Sequence, residues 1–305
     1  MKFKEYLQSN GYSRTTIKGH VRNVENLHQW AVEEGLEIEQ ITYQDLLAYT
    51  QQLNKRGTSK RTVSLYMGSI KHYYNHLLQA EIISHHPAQK IQIKGIKRRM
   101  VYDILKPIEL EAVYHKFITN EPQFNPRDNA TTKQLRQPSF QMHKVMLGLL
   151  IYQGINSTEL IDLKPEDIKL REGMIYVPRN RRSNERELKL EAVQILEMQE
   201  YLLKTRAEIL AITQKQSEQL FISSGKSPSL YHAIRKLTKT LKDQNGRIED
   251  LQQIRASVIV KWLNNYNLRQ AQYMAGHRFV SSTEKYKQSD LEDLKEDINK
   301  FHPLN

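Results

Sequence analysis

At 305 residues the chain exceeds the usual size of a single hydrophobic core, so two domains joined by a linker are expected. Its 46 Lys and Arg against 34 Asp and Glu give a formal charge of +12, which points to a polyanionic partner, with nucleic acid ahead of membrane surfaces and ribosomal assemblies. The lack of cysteine excludes disulfides, thiolate zinc sites and cysteine nucleophiles, and no stretch is apolar for the roughly 20 residues that a membrane span needs. The start, MKFKEYLQSNGYS, has no signal-peptide core, so a cytoplasmic protein without membrane association is expected.

The first predicted element is an amphipathic helix over residues 13–34. Ser13 is a suitable N-cap, Ile17, Val21, Val24, Leu27 and Ala31 recur at helical spacing, and Gly35 ends the pattern. Thr42, with Asp45 three residues on, starts a shorter helix that stops before Gly57. A third begins near Ser59, carries Val63, Tyr66, Met67, Ile70, Tyr73, Tyr74 and Leu77 on one side, and ends before Pro87. Trp30, Tyr73 and Tyr74 follow the helical stripe and are read as core, with no base-stacking role.

Two helix starts echo each other: Gly11-Tyr12-Ser13-Arg14 and Gly57-Thr58-Ser59-Lys60-Arg61. Free N–H groups beside Arg14, or beside Lys60 and Arg61, suit a phosphate backbone; they equally suit ordinary capping with solvated charges. From Pro87 to about Lys106 the periodicity fades into a basic, mostly extended stretch. It is read as a linker over 91–106 after a first domain of 1–90, with Lys94, Lys97, Arg98 and Arg99 placed to cross a DNA backbone.

The second domain is expected over 107–305. A short helix from Pro107 to Phe117 precedes a surface loop from Glu121 to Ser139, rich in Pro, Asn and Thr, where no core is expected. Phe140 to Gln153 is apolar on all sides and is predicted as a central buried helix stopping at Gly154. Met174 to Pro178 and Arg186 to Leu190 flank the polar turn of residues 179–185, the pattern of a hairpin. Helical patterns return over Ala192–Leu210, Ser229–Leu241, Gln252–Tyr266 and Leu268–Met274, so the fold class is mainly α with a small antiparallel β-sheet.

Three segments of this second half carry further information: Gly154-Ile155-Asn156-Ser157-Thr158-Glu159-Leu160; Gln252-Gln253-Ile254-Arg255; and Gly276-His277, followed by Thr283 and by Tyr286 nine residues beyond the histidine. In this order they resemble the motifs of tyrosine recombinases of the phage-integrase family. The two Gly-x-Ser-x-x-Thr helix starts and the stretch Ile82 to Ala88 resemble that family's helical, SAM-like core-binding domain, so the resemblance spans nearly the whole chain. It implies a tyrosine-recombinase catalytic domain in which Tyr286 is the nucleophile and Arg255 and His277 are catalytic. The family's first arginine, the histidine of its His-x-x-Arg box and its hairpin lysine fall on Asn156, Gln252 and Arg181, with Arg179 and Arg182 flanking the last.

The chemistry so implied is attack by Tyr286 on a DNA phosphodiester, giving a 3′-phosphotyrosyl link and a free 5′-hydroxyl, without cofactor or metal. Arg255 and His277 are suited to the non-bridging oxygens. Arg181 carries charge but is a poor proton donor, Gln252 cannot accept the phenolic proton, and Asn156 offers dipoles where the family has a full charge. The expectation is a site-specific recombinase or integrase of a mobile element with reduced or unusually assisted strand transfer. It would act on double-stranded DNA at the nucleoid as a tetramer on two sites. The tail residues Leu291, Leu294 and Ile298 would dock on a neighbouring protomer, and other recombination proteins could assist. The alternative is a catalytically inactive homologue serving as a DNA-binding regulator or architectural partner. A helical repressor with chance matches and a type IB topoisomerase are further readings.

Overall fold

The computed structural model describes residues 2–95, 102–121, 126, 128–225 and 229–287. The chain divides into two compact units, Met1–Met100 and Val101–Asn305. No helix among the described residues is long and apolar enough to cross a membrane.

The described part of the first unit is built from α1 (Phe3–Ser9), α2 (Arg14–Glu33), α3 (Tyr43–Lys55) and α4 (Lys60–Gln79). The three longer helices start where the sequence places caps: Ser13, Thr42 and Ser59 each accept a hydrogen bond from the backbone N–H three residues on. Helix α1 has no counterpart in the sequence reading. It spans seven residues with one buried side chain, Leu7, too short for a period to register. It is held by rings, Phe3 against Tyr73 and His76 and Tyr6 against His76. Trp30 and Tyr74 lie in the core with Leu27, Leu46, Met67 and Ile70, and Tyr73 is half-buried against it. The Tyr74 hydroxyl donates to Ile38 O at 3.0 Å.

The second unit contains α5 (Pro107–Thr119), α6 (Ala130–Tyr152), α7 (Ser157–Asp162), β1 (Ile168–Lys169), β2 (Met174–Val177) and β3 (Arg186–Lys189). It continues with α8 (Ala192–Glu200), a π-helical turn (Tyr201–Thr205), α9 (Arg206–Thr213), α10 (Tyr231–Gln244), α11 (Leu251–Asn265) and α12 (Leu268–Ala275). Residues 280–287 form one more helix. The strands make one antiparallel sheet in the order β1-β2-β3, with Val177 opposite Arg186; β1, two residues long, was not anticipated. Helices α6 and α11 are buried on nearly every side and make the centre of the core.

The stretch read as a surface loop, Glu121 to Ser139, is in part wrong. Asn129 caps α6 by accepting from Thr132 N at 2.8 Å, and Leu135, Pro138 and Ser139 are buried within that helix. A proline removes one backbone hydrogen bond, and the burial of its neighbours in a helix continuing for fourteen further residues outweighs it here. Ahead of α5, Leu105 is buried and its N–H donates to Ser257 Oγ at 2.9 Å, while Asp103 pairs with Arg247.

His143, in α6, is buried, and that burial, aided by the charge of Lys236, pushes its pKa down from 6.5 to about 4. Above 6.5 the imidazole is neutral both folded and unfolded, and folding carries no proton cost. Between 6.5 and about 4 the unfolded chain takes up a proton that the folded one refuses, so stability falls with pH. The loss is up to about 1.4 kcal/mol per pH unit, roughly 3 kcal/mol over the window. Urea midpoints measured from pH 7 to 4.5 should decline less steeply in His143→Phe than in the wild type; parallel declines would remove His143 as the cause.

Candidate active site

The site begins where α6 stops. Gly154 has φ +54°, and a Cβ there would stand 3.0 Å from Trp262 and 3.1 Å from Val258, both on α11. This close approach brings the Gly154 carbonyl to Arg255, whose Nη1 donates to it. Asn156 follows as the N-cap of α7. Its Oδ1 accepts from Thr158 N and Glu159 N, both at 2.9 Å, and its own N–H donates to Glu159 Oε2 at 2.9 Å. The acceptor of Asn156 is therefore spent on the helix, which leaves its amide NH2 as the only polar group for other work.

Glu159 is the centre of a buried charge cluster. Its two oxygens accept from Arg186 Nη1 and Nη2 at 2.9 and 3.0 Å, a bidentate pair with both side chains fully buried, and Arg255 Nη1 lies 3.5 Å from Oε2. Burial alone would raise the Glu159 carboxyl. The hydrogen bonds and charge of Arg186, the charge of Arg255 and the Asn156 N–H together hold it below the ordinary carboxylate value. Burial lowers the Arg255 pKa and Glu159 opposes this, while Tyr286 is close enough to act on its charge. A second guanidinium nitrogen of Arg255, Nη2, donates to Ala275 O at 2.6 Å, tying α11 to the end of α12.

At that end Gly276 turns the chain with φ +66°, and a Cβ would meet Arg186 Nη1 at 2.5 Å and Asn184 O at 3.1 Å, so only glycine fits. His277 comes next. Its ring lies 5.9 Å from that of Tyr286 and 10° from parallel, and its Nδ1 is 2.9 Å from Thr283 Oγ1. Thr283 is fully buried, and its hydroxyl holds the ring through Nδ1, to which it can donate or from which it can accept. If Thr283 donates to Nδ1, neutral His277 carries its proton on Nε2. Nitrogen-15 NMR should show that tautomer in the wild type and a mixed one in Thr283→Val; the opposite tautomer in the wild type would refute the assignment.

The hairpin between β2 and β3 docks on this turn. Ser183 forms a bridge with His277, Asn184 N donates to Gly276 O at 2.9 Å, and Arg278 Nη2 donates to Asn180 O at 2.9 Å. Asn180 Oδ1 accepts from Arg182 N and Ser183 N, which closes the loop. Arg179, Arg181 and Arg182 are exposed on it.

Residues 128–292, more than half of the chain, match the model of the phage integrase family, and residues 1–84 match the phage integrase N-terminal SAM-like domain. The chain belongs to the phage integrase family. Tyrosine recombinase XerC of Bacillus pumilus (strain SAFR-032) is 23% identical over 307 residues, covering 99% of this chain and 95% of its own. Tyrosine recombinase XerD of Shewanella oneidensis is 23% identical over 298 residues, covering 97% and 93%. Among solved structures, a lambda integrase dimer bound to a COC′ core site superposes with TM-score 0.62 at 16% identity, over 93% of this chain and 74% of that one. The Tn1549 transposon integrase in complex with a circular intermediate DNA does so with TM-score 0.62 at 14% identity, over 97% and 99%. The fold is thus that of the integrases: mainly helical, with a helical N-terminal part and a small antiparallel sheet. By class this family member is a tyrosine-type DNA strand transferase.

Within this integrase-family chain the structure sets Tyr286 beside His277, ties Arg255 to Ala275 two residues before that histidine, and holds the arginine-bearing hairpin loop beside His277. Gln252 is exposed one helical turn before Arg255, on the same side of α11. Asn156 belongs to the α7 cap. In the first unit Arg14, Lys60 and Arg61 are exposed on the first turns of α2 and α4, and Lys60 Nζ lies over Gly95, 3.1 Å from where a Cβ would be. Lys97, Arg98 and Arg99 fall outside the described residues. Among the described residues no group of three or more His, Asp or Glu is arranged to hold a metal ion.

The sequence reading missed Glu159, Arg186 and Arg278. A signal for Arg186 existed: it occupies the inward register of β3 with Leu188 and Leu190, and a charge at an inward position calls for a buried partner.

Proposed function

We propose that this chain is a site-specific recombinase that cleaves and rejoins double-stranded DNA through Tyr286, at a rate lowered by its altered catalytic set. The observation that carries the reading is that Arg255, bonded to Ala275 O, and Tyr286, beside the His277 ring, meet at the turn of Gly276 and His277 between α12 and the helix of residues 280–287. Tyr286 Oη attacks the phosphorus, the bond to the 5′ oxygen breaks, and a 3′-phosphotyrosyl link stores the bond energy for rejoining. Arg255 keeps N–H groups beyond the two committed to Gly154 and Ala275, and His277 supplies a further donor to the non-bridging oxygens. The leaving 5′ oxygen must take a proton. Arg181 supplies charge there and is a poor acid, and Gln252 offers a hydrogen bond and no base.

Residues 1–90 grip the backbone through Arg14, Lys60 and Arg61, residues 91–106 with Lys97, Arg98 and Arg99 cross it, and residues 107–305 carry the chemistry. The chain works at the nucleoid in the cytoplasm, in the service of a mobile element and with other recombination proteins. A tetramer on two sites, with the tail containing Leu291, Leu294 and Ile298 packed in trans, is the assembly this implies; the tail lies outside the described residues. Lambda integrase and the Tn1549 integrase, whose solved structures include DNA, support the DNA and self-association parts by analogy of fold.

Covalent trapping tests the proposal: an adduct on a denaturing gel that requires Tyr286 supports it, and an adduct independent of Tyr286 overturns it. One observation favours the second reading, an inactive DNA-binding homologue. Asn156 is turned into a helix cap, so the position of the family's first arginine presents no charge. Tight duplex binding with no adduct would select it.

A further inference from the structure

The motif comparison leaves one cation beside the site without a role. Arg278 follows His277 directly, is exposed, and spends one of its five N–H groups on Asn180 O at 2.9 Å. Asn180 stands between Arg179 and Arg181, and its side chain accepts the N–H groups of Arg182 and Ser183. One closed loop, pinned to Gly276 and His277, therefore carries three exposed arginines and holds the Arg278 guanidinium against its backbone.

Among the described residues none of the four makes an ion pair with a carboxylate. Glu159 is buried against Arg186, Glu187 pairs with Lys169 at 2.6 Å, and Glu185 makes no ion pair with any of the four among the described residues. Like charges held together without counter-ions oppose folding, and such an arrangement stands ready for an anion. Because the hydrogen bond to Asn180 fixes the Arg278 side chain in advance, little of its rotamer freedom is left to lose on binding.

We propose that Arg278 is a phosphate-binding residue of this site, completing with Arg179, Arg181 and Arg182 a four-arginine clamp on the DNA backbone that offsets the charge absent at Asn156. The proposal rests on the reading that the chain binds duplex DNA, and deepens it. The bidentate fork of arginine matches a phosphodiester, and Arg278 follows three positions after Ala275, whose carbonyl anchors Arg255.

The test is the salt dependence of equilibrium binding of the full chain to a fluorescent duplex, followed by anisotropy. Each phosphate contact contributes about 0.9 to the slope of log affinity against log salt. Arg278→Gln should reduce the magnitude of that slope by about 0.9, and Arg278→Lys, which keeps the charge, should restore it. An unchanged slope in Arg278→Gln, with far-UV circular dichroism showing the chain folded, overturns the proposal and leaves Arg278 as a clasp for the loop. A slope that falls equally in the lysine variant also overturns it, because the effect would then come from loop placement. Absence of salt-dependent duplex binding by the wild type is a different failure, that of the DNA reading itself.

Discussion

Tyr286→Phe is expected to abolish covalent protein–DNA adducts completely while leaving noncovalent duplex binding unchanged. The substitution removes one oxygen and keeps the ring that lies parallel to His277, so the packing at the end of the chain's described part is preserved. Duplex affinity comes chiefly from cation–phosphate contacts, which a phenol does not make. The measurement is a denaturing gel after incubation with duplexes nicked opposite candidate cleavage sites, which trap the intermediate by letting the 5′-hydroxyl fragment diffuse away. Each missing charge-stabilising donor costs on the order of 10²- to 10³-fold in rate, so accumulation should be slow and long time courses are required. Loss of the adduct together with loss of binding would mean that Tyr286 supports the structure and would not identify a nucleophile.

The second large effect concerns stability. Glu159→Gln is expected to destabilise the second unit by about 3–5 kcal/mol, the usual consequence of removing one partner from a buried ion pair. The variant would leave Arg186, fully buried, and Arg255, nearly so, without a neutralising carboxylate, and would weaken the bond from Asn156 N to Oε2. Against a total of about 5–15 kcal/mol for a domain, such a loss brings unfolding near working temperature. Pairing the change with Arg186→Met should recover part of it, since the pair costs desolvation that an apolar side chain does not. Because the folded carboxyl is held below its ordinary value, the contribution is present at neutral pH and disappears as the pH falls through that lowered value. The wild type should therefore lose stability in acid along a limb that Glu159→Gln lacks. Equal urea midpoints for wild type and Glu159→Gln at neutral pH would show that the cluster contributes nothing net.

Local signals were legible wherever they are repeated within a few residues. Ser13, Thr42 and Ser59 cap their helices because a cap is a bond across three residues, and Leu27, Met67 and Tyr74 are core because helical spacing puts them on one stripe. The same logic failed at residues 130–139, where polar composition and Pro138 outweighed the cap at Asn129. It failed again at α1, whose hold on the unit comes from ring contacts with residues about seventy positions away.

The order and spacing of Gly154 to Leu160, Arg255, His277 and Tyr286 pointed from sequence to the family, and the same match exposed the departures at Asn156, Arg181 and Gln252. Tertiary structure alone decided what those side chains do with their hydrogen-bonding capacity. Asn156 turns inward to cap α7, Arg255 divides itself between the carbonyls of Gly154 and Ala275, Arg186 crosses 27 positions to reach Glu159, and Arg278 closes on a loop nearly a hundred residues upstream. A period in sequence reports which face of an element is apolar. Pairing between charges brought together by folding leaves no period, because the partner's position depends on the path of the whole chain.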